Sequence, residues 1–243
     1  MIPVDHPRYQ SLVTREHLAE CAKKGIVSWE GLTAQGRGEA FDYLLGERTT
    51  KSARLAERTA ATMLLAARHP VISVNGNTAA LAAGGIAALQ KACGALVEVN
   101  LFHRTETRIT MIEHLLTEAG VDVFSGEAER LLPLSHDRAW CRRGGIFSAD
   151  VVLVPLEDGD RCAALVEMGK KVIAIDLNPL SRTARTATLT IVDELTRALP
   201  HITSACHQIS DTEKDRLIHT LDNQYLLSEA IREMRARLTH ALD

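Results

Sequence analysis

Residues 71 to 192 alternate short apolar runs with segments of helical period, and this alternation limits the possible folds more than any other feature. Each run is apolar throughout, as expected for strands that are buried on both faces of a parallel sheet. The predicted strands are 71–74, 95–99, 121–124, 151–154, 172–175 and 189–192, and the predicted helices are 78–93, 105–119, 160–169 and 193–199. Right-handed crossovers between such strands predict an α/β fold with a Rossmann-like, doubly wound, mostly parallel six-stranded sheet.

Helical segments flank this predicted sheet on both sides. The chain divides into a helical N-terminal part (residues 1–70), the α/β core (71–210) and a C-terminal part (211–243), which we expect to form one compact unit. In the first part, Thr14 is a suitable N-cap for a helix that ends at Gly25. A Gly-Arg-Gly loop around Arg37 follows, and a second helix spans about 51–68.

The sequence pattern of the C-terminal part predicts a single long helix that begins near Asp211. Its apolar stripe consists of Leu217, Leu221, Leu227, Ile231, Met234 and Leu238. A stripe of this length requires a cover. Either the rest of the chain or a second subunit meets that requirement.

Composition narrows the class of protein. Of the 243 residues, 46% are hydrophobic and 24% are charged, which is ordinary for a globular protein with a substantial core. The formal net charge of -3 argues against a nucleic-acid or anionic-membrane partner. No run approaches the roughly 18 apolar residues of a membrane span. Five cysteines without a C-x-x-C pair favour a reduced, cytoplasmic protein.

Polar loops follow the predicted strands, at the edge where parallel sheets bind ligands. Asn75, Gly76 and Asn77 open a helix whose N–H groups suit an anion, although the same residues also suit a plain turn and N-cap. After the second strand, Arg104 and Arg108 are candidate phosphate-binding groups, or merely solvated arginines of a helix surface.

Two further loops carry charged residues. Glu157, Asp158 and Asp160 would suit Mg²⁺ or polar substrate contacts, but also an acid-rich helix start. Asp176 ends a strand and Arg182 follows shortly after. A carboxylate can bind ribose hydroxyls and a guanidinium can bind phosphates, and an internal ion pair between the two is the alternative. Arg37, between Gly36 and Gly38, is placed where the backbone can approach a ligand closely.

Two other functions remain open on these residues. Glu98 lies about 20 residues beyond the first loop, where dinucleotide folds hold a ribose, and it favours an NAD(P)-dependent oxidoreductase. The first loop, however, lacks the G-x-G-x-x-G pattern, because Gly84 and Gly85 lie inside the following predicted helix. A non-catalytic nucleotide-binding regulator is the second alternative.

Five blocks, in order along the chain, resemble the archaeal-type phosphopantothenate synthetases. They are 36–43, 71–77, 98–102, 149–161 and 176–185, and the resemblance extends from His6-Pro7-Arg8-Tyr9 to about Pro200. It implies an ATP-dependent 4-phosphopantoate–β-alanine ligase of coenzyme A biosynthesis. Such an enzyme is a homodimer that forms 4′-phosphopantothenate and releases AMP and diphosphate. As our own hypothesis, we expect a phosphopantoyl adenylate intermediate, with Mg²⁺ as a cofactor that helps arginines to gather the phosphates of ATP.

The resemblance also implies site residues. The expected ATP contacts are Arg15, Arg37, Asp176, Leu177, Asn178, Arg182, Thr183, Asp193 and Glu194. The chain has Gln35 where the family usually has histidine and Glu194 where it usually has asparagine, and the added charge weakens Glu194 as an ATP contact. We assign the substrate phosphate to Asn75, Gly76, Asn77 and Arg104. His103, Glu157 and Asp158 are candidate bases that the sequence does not rank, and metal ligands stay unassigned.

Overall fold

A computed structural model describes residues 2–6 and 8–239, with a five-stranded parallel sheet at the centre. In chain order the elements are α1 (Tyr9–Lys23), α2 (Trp29–Leu45), α3 (Lys51–Ala66), β1 (Pro70–Val74), α4 (Gly76–Cys93), β2 (Leu96–Val99), α5 (Glu106–Glu118), β3 (Glu129–Arg130), β4 (Trp140–Cys141), β5 (Val151–Pro155), α6 (Gly159–Glu167), β6 (Lys171–Ile175), α7 (Arg182–Thr186), β7 (Leu189–Ile191), α8 (Leu195–Gln208), α9 (Asp211–His219) and α10 (Asn223–Thr239). Pro7, in the His6-Pro7-Arg8-Tyr9 segment where the resemblance begins, lies outside the described residues, as do Met1 and residues 240–243 of the predicted terminal parts.

The strand order is β2-β1-β5-β6-β7, and all four pairings are parallel. The chain runs outward from β1 to β2 and then returns to β5 on the other side of β1. This reversal opens a crevice at the carboxyl ends of β1 and β5, which is where doubly wound sheets bind ligands. The predicted α/β, doubly wound fold is confirmed.

Successive residues of the central strands belong to two separate cores. Val152 and Val154 pack with α6, whereas Leu153 packs with the larger core that contains residues of α3, α4 and α8. Both faces are therefore covered, and this explains why the strands are apolar at consecutive positions.

The third of the six predicted strands, residues 121–124, is wrong. This segment forms one isolated parallel bridge, between Val123 and Val97, and one further backbone bond from Phe124 N to Val97 O (2.8 Å). The side chain of Gln90 binds both the N–H and the carbonyl of Asp122 (2.8 and 2.7 Å). A side chain thus takes the backbone groups that a longer strand would pair.

The predicted Gly-Arg-Gly loop is also wrong, because Gly36, Arg37 and Gly38 lie inside helix α2. The Ser28 hydroxyl caps this helix by accepting a bond from Gly31 N (3.1 Å), and Gly46 ends it in the left-handed conformation at φ 85°. Each interior glycine costs about 1 kcal/mol relative to alanine. The packing of α2 against α10, α1 and α4 offsets that cost.

The two terminal helices differ from their predictions. Helix α1 begins at Tyr9, before the predicted cap Thr14. The single long C-terminal helix is two helices, because the chain breaks at residues 220–222 and Asp222 Oδ1 accepts from Tyr225 N (2.9 Å) to start α10. The chain itself covers most of the apolar stripe, but Leu238 remains 60% exposed. The three-part division of the chain stays a prediction. None of the described helices is long and apolar enough to cross a membrane.

Candidate functional site

A cavity of about 700 Å³ lies at the carboxyl ends of β1, β2, β5 and β6, with α2 as a further wall. The predicted site residues that line it are Arg37, Asn75, Gly76, Asn77, His103, Glu157, Asp158, Asp176, Leu177, Asn178, Arg182 and Thr183. The sequence does not identify most of the α2 wall, including Ser28, Gly31 and Phe41, because the two glycines beside Arg37 predict a loop there.

Four predicted residues do not line this cavity. Arg15 donates from Nε (3.0 Å) and Nη2 (2.9 Å) to the same oxygen, Glu39 Oε2, and Arg104 contacts Glu106 (3.3 Å). Asp193 is buried against Arg197 (2.6 Å). Glu194 caps α8, where its side chain accepts from Thr196 N and Arg197 N. Their ligand roles stay predictions.

The turn after β1 is held by its own side chains. Asn75 Oδ1 accepts from Thr78 N (2.9 Å), while Asn75 Nδ2 donates to the carbonyls of Pro155 (3.2 Å) and Leu156 (3.0 Å). Asn77 Nδ2 donates to Gly31 O (2.8 Å) and ties the turn to α2. These amides are therefore occupied within the protein, and the backbone N–H groups at the start of α4 remain for a ligand.

Gly76 is required at the start of α4 by a close backbone approach. A Cβ at this position would lie 2.2 Å from Ile26 O. No side chain fits that distance without moving the α1–α2 connection. The N-terminus of α4 is therefore packed directly against that connection.

The turn after β5 contains a carboxylate between two guanidiniums. Glu157 contacts Arg138 (3.2 Å) and Arg161, and all three side chains are almost completely buried. Asp158, with its side chain 42% exposed, accepts from Arg138 Nε (3.1 Å). Sequence reasoning missed Arg138, which lies in the irregular segment between β3 and β4, where no periodic pattern points to a site.

The turn after β6 presents Asp176. Its oxygens accept from Asn178 N (2.9 Å) and the Ser181 hydroxyl, so the alternative Asp176–Arg182 ion pair does not form. Burial raises the pKa of Asp176, while its hydrogen bonds and the positive charge of Arg37 oppose that rise. Within residues 2–6 and 8–239, the exposed guanidiniums of Arg37 and Arg182 form no ion pair. They are therefore available to an anionic ligand.

Aromatic and imidazole side chains line the end of the cavity near β2. Phe102, 43% exposed, stacks on His136 with ring centroids 4.7 Å apart and an interplanar angle of 21°. His136 Nε2 lies 2.8 Å from Asp160 Oδ2, which holds that ring in place. His103 is half-exposed, and its ring lies 3.8 Å from Glu30. Of the two imidazoles, His103 lines the cavity and His136 does not.

Metal-binding potential differs between two clusters of acidic residues. In the part of the chain that the structure describes, Glu57, Asp193 and His201 are the one group with converging ligand atoms, but they do not line the cavity. Arg197 already supplies a cation to Asp193. In the predicted acidic loop, Glu157 is buried between two arginines, Asp158 is paired with Arg138, and Asp160 is paired with His136. Of the two half-exposed carboxylates, Asp158 lines the cavity and Asp160 does not.

Glu98 does not support the oxidoreductase alternative. Its carboxylate is buried and accepts from Arg142 N and Ile146 N, both at 2.8 Å, and it holds the turn after β4. Glu98 does not line the cavity. The acidic residue after β2 is therefore a structural anchor, and the feature that favoured a dinucleotide has a different explanation.

Comparisons with known proteins agree with the resemblance. Residues 52–237 match the family model of phosphopantothenate/pantothenate synthetase. The chain is 58% identical to the 4-phosphopantoate–β-alanine ligase of Methanospirillum hungatei over 243 residues, all of both chains. It is 55% identical to the enzyme of the same name from Methanosarcina mazei, over 98% of this chain and 95% of the relative. It is 47% identical to the enzyme of the same name from Thermococcus kodakarensis, over 98% of this chain and 94% of the relative.

Proposed function

The chain belongs to the phosphopantothenate/pantothenate synthetase family, and from that membership we propose that it condenses 4-phosphopantoate with β-alanine. ATP supplies the driving force, and the products are 4′-phosphopantothenate, AMP and diphosphate. The observation that carries this proposal is the cavity at the β1–β5 reversal, lined by Arg37 and Arg182, neither of which forms an ion pair within the described residues. A site in which a phosphorylated acid attacks the polyphosphate of ATP needs such cations.

The first step activates the acid. A carboxylate oxygen of 4-phosphopantoate attacks the α-phosphorus of ATP, the bond to the bridging oxygen breaks, and diphosphate leaves. Arg37 and Arg182 neutralise the phosphate oxygens, on which negative charge accumulates. Asp176 and Asn178, at the end of β6, are placed to bind the ribose and orient the nucleotide.

The second step forms the amide. The β-alanine amine attacks the acyl carbon of the phosphopantoyl adenylate, AMP leaves, and the amine loses a proton. His103 is our choice of base, because Glu157 is engaged by two arginines and Asp158 by one. Holding both fragments in one cavity supplies orientation, an effect of roughly 7–11 kcal/mol in favourable systems.

Mg²⁺ would bind at this site together with the phosphates of ATP. Magnesium commonly binds through one or two carboxylates together with substrate phosphates. Asp158 would hold it, because its half-exposed side chain lines the cavity, whereas Glu157 is buried between two arginines and Asp160 does not line the cavity. The ion would neutralise charge on the phosphates during attack.

A homodimer in the cytoplasm completes the proposal. A groove of about 500 Å³ between α2 and α10 includes Tyr43 and Leu238, which are 40% and 60% exposed, and these apolar side chains support burial by a second copy. All five cysteines are thiols, which agrees with a reducing compartment. Light scattering across a concentration series tests the dimer, and a single monomeric mass throughout would refute it.

An AMP-release assay tests the reaction. Purified protein is incubated with ATP, MgCl₂, β-alanine and 4-phosphopantoate, and with each component omitted in turn. We expect AMP and 4′-phosphopantothenate in equal amounts only when all components are present. ATP binding without AMP under any combination would instead support the non-catalytic regulator.

A further inference from the structure

Three backbone carbonyls fix the guanidinium of Arg108 at the edge of the cavity. Its Nε donates to Gly25 O (3.1 Å), its Nη2 to Ile26 O (3.1 Å) and its Nη1 to His103 O. A guanidinium has five N–H groups. Two of them therefore remain for a ligand, on a side chain whose position is already determined.

The fixed guanidinium lies beside the N-terminus of α4. A Cβ on Gly76 would be 3.3 Å from Arg108 Nη2. The first backbone N–H groups of a helix have no intrahelical acceptor, and in α4 these are the N–H groups of Gly76 and Asn77. The N-cap side chain does not bind them, because Asn75 Oδ1 accepts from the N–H of Thr78. Two independent sources of positive potential therefore meet at one point of the cavity wall.

The charge of Arg108 has no close counter-ion in the described part of the chain. Burial lowers the pKa of this guanidinium, and Glu30, the carboxylate that opposes this effect, has a side chain that is 72% exposed. By comparison, Arg138 and Arg161 both contact Glu157. A half-buried cation without a counter-ion, in a ligand cavity, is a binding group for an anion.

We propose that Arg108 and the N-terminus of α4 bind the phosphate group of 4-phosphopantoate and make the enzyme select this acid over unphosphorylated pantoate. This inference rests on the proposed function. A phosphate monoester has three acceptor oxygens and close to two negative charges, which match the two remaining guanidinium N–H groups and the two backbone N–H groups. The β-alanine carboxylate has two oxygens and one charge, and it matches this donor set less well.

Arg104 and Arg108 were both candidates on sequence, and the structure separates them. Arg104 points its Nη2 to Glu106 and does not line the cavity, whereas Arg108 does. The name of the family covers synthetases of both phosphopantothenate and pantothenate. The group that recognises the phosphate therefore decides which acid a member of this family prefers.

The test compares kcat/KM for 4-phosphopantoate and for pantoate in Arg108→Gln, Arg108→Lys, Arg104→Gln and wild type. Arg130→Gln is the matched control, because Arg130 also donates to a backbone carbonyl (Leu134 O, 2.6 Å) but lies outside the cavity. We expect Arg108→Gln to lose about 100-fold on 4-phosphopantoate and little on pantoate, as for removal of one partner of a charged pair. Arg108→Lys should lose less, because it keeps the charge.

Several results would overturn the proposal. They are an equal loss on both acids in Arg108→Gln, an increase only in the KM for β-alanine, and a collapse of the preference in Arg104→Gln but not in Arg108→Gln. Arg108 also braces the α1–α2 connection, so thermal unfolding of each variant is measured alongside. If Arg108→Gln does not fold, inhibition of the wild-type enzyme by inorganic phosphate provides the test. We expect inorganic phosphate to compete with 4-phosphopantoate and not with ATP. Competition with ATP and not with 4-phosphopantoate would refute the proposed phosphate site.

Isothermal titration calorimetry tests the phosphate site independently of the ligase reaction. Binding of 4-phosphopantoate and of pantoate is measured without ATP or β-alanine. A wild-type protein that prefers the phosphorylated acid but never forms AMP would refute the ligase and leave the phosphate site standing, provided that Arg108→Gln loses the preference. A wild-type protein that forms AMP, with an Arg108→Gln variant that keeps the preference, would refute the phosphate site alone.

Discussion

Asn75 Nδ2 donates to the backbone carbonyl of Leu156 (3.0 Å) and so joins the carboxyl ends of β1 and β5. Leu156 lies at φ 54°, a left-handed conformation that is uncommon for a residue other than glycine. The side-chain amide of Asn75 therefore stabilises a strained turn at the point where the strand order of the sheet reverses. Because the same side chain caps α4, one residue positions both walls of the cavity.

Asn75→Asp separates these two roles. The carboxylate still caps α4, but it cannot donate to the carbonyls of Pro155 and Leu156 and faces their oxygens instead. We expect a loss of about 1–3 kcal/mol in the free energy of unfolding, as for a buried acceptor left unpaired. Urea denaturation measures this loss, and Asn75→Ala is the comparison. An Asp variant as stable as wild type would show that the cap alone matters.

Arg37→Ala should abolish ligase activity without unfolding the protein. Arg37 is exposed and makes no ion pair among the described residues, so its removal should change stability by no more than about 0.5 kcal/mol. The KM for ATP and the rate of AMP release are the measurements. Arg185→Ala is the matched control, since Arg185 is an exposed arginine that does not line the cavity. Wild-type activity in Arg37→Ala would refute the phosphate-binding role.

Glu157→Gln and His103→Gln should fail in different ways. Replacing Glu157 leaves Arg138 and Arg161 buried without their shared carboxylate, and we expect a loss of about 3–5 kcal/mol in the free energy of unfolding. His103 is half-exposed, so His103→Gln should remain stable but lower kcat. Chemical denaturation and steady-state kinetics of both variants check this. A stable, inactive Glu157→Gln variant would return Glu157 to the list of candidate bases.

Glu57 should make the protein less stable as the pH rises. Burial, together with the nearby charge of Asp193, raises the pKa of Glu57 to about 9. The unfolded chain releases this proton near pH 4.3, roughly the ordinary value for glutamate. Between these two values the native state binds one proton more than the unfolded state, so the free energy of unfolding falls with increasing pH, by at most about 1.4 kcal/mol per pH unit.

Glu57→Gln removes this titration while keeping the shape of the side chain. We expect a shallower decline in the free energy of unfolding between pH 5 and pH 9, and a variant at least as stable as wild type at pH 8. Glu127→Gln, at an exposed position, is the control. An unchanged slope in Glu57→Gln would mean that Glu57 is ionised in the native protein.

Gly36→Ala tests the helical state of the Gly-Arg-Gly segment. A Cβ at Gly36 would meet no atom within 4 Å, and the residue is exposed in the interior of α2. We expect a gain of about 0.5–1 kcal/mol in the free energy of unfolding, because alanine favours a helix. Thermal and urea unfolding measure the gain. A loss of stability would favour the loop that the sequence predicts.

The amino-acid pattern alone was enough to predict the layered α/β fold and the edge of the sheet at which ligands bind. Continuous apolar runs reflect burial on both faces, and the polar loops that follow them have to gather at the carboxyl ends of parallel strands. Hence Asn75, Asp158 and Asp176, far apart along the chain, line one cavity as expected. The five ordered blocks likewise were sufficient to indicate the family, which the comparisons confirm.

Which charged side chains reach that cavity depends on long-range packing and could not be predicted from the sequence. Helix α2 forms through two glycines because its packing offsets their low helix propensity, and this brings Arg37 into the wall. Arg104 and Arg108 are four residues apart, yet only Arg108 reaches the cavity, where carbonyls of the α1–α2 connection hold it. The local hydrophobic pattern indicates which face of a helix or strand is buried. The direction of a charged side chain depends on partners that are distant in sequence.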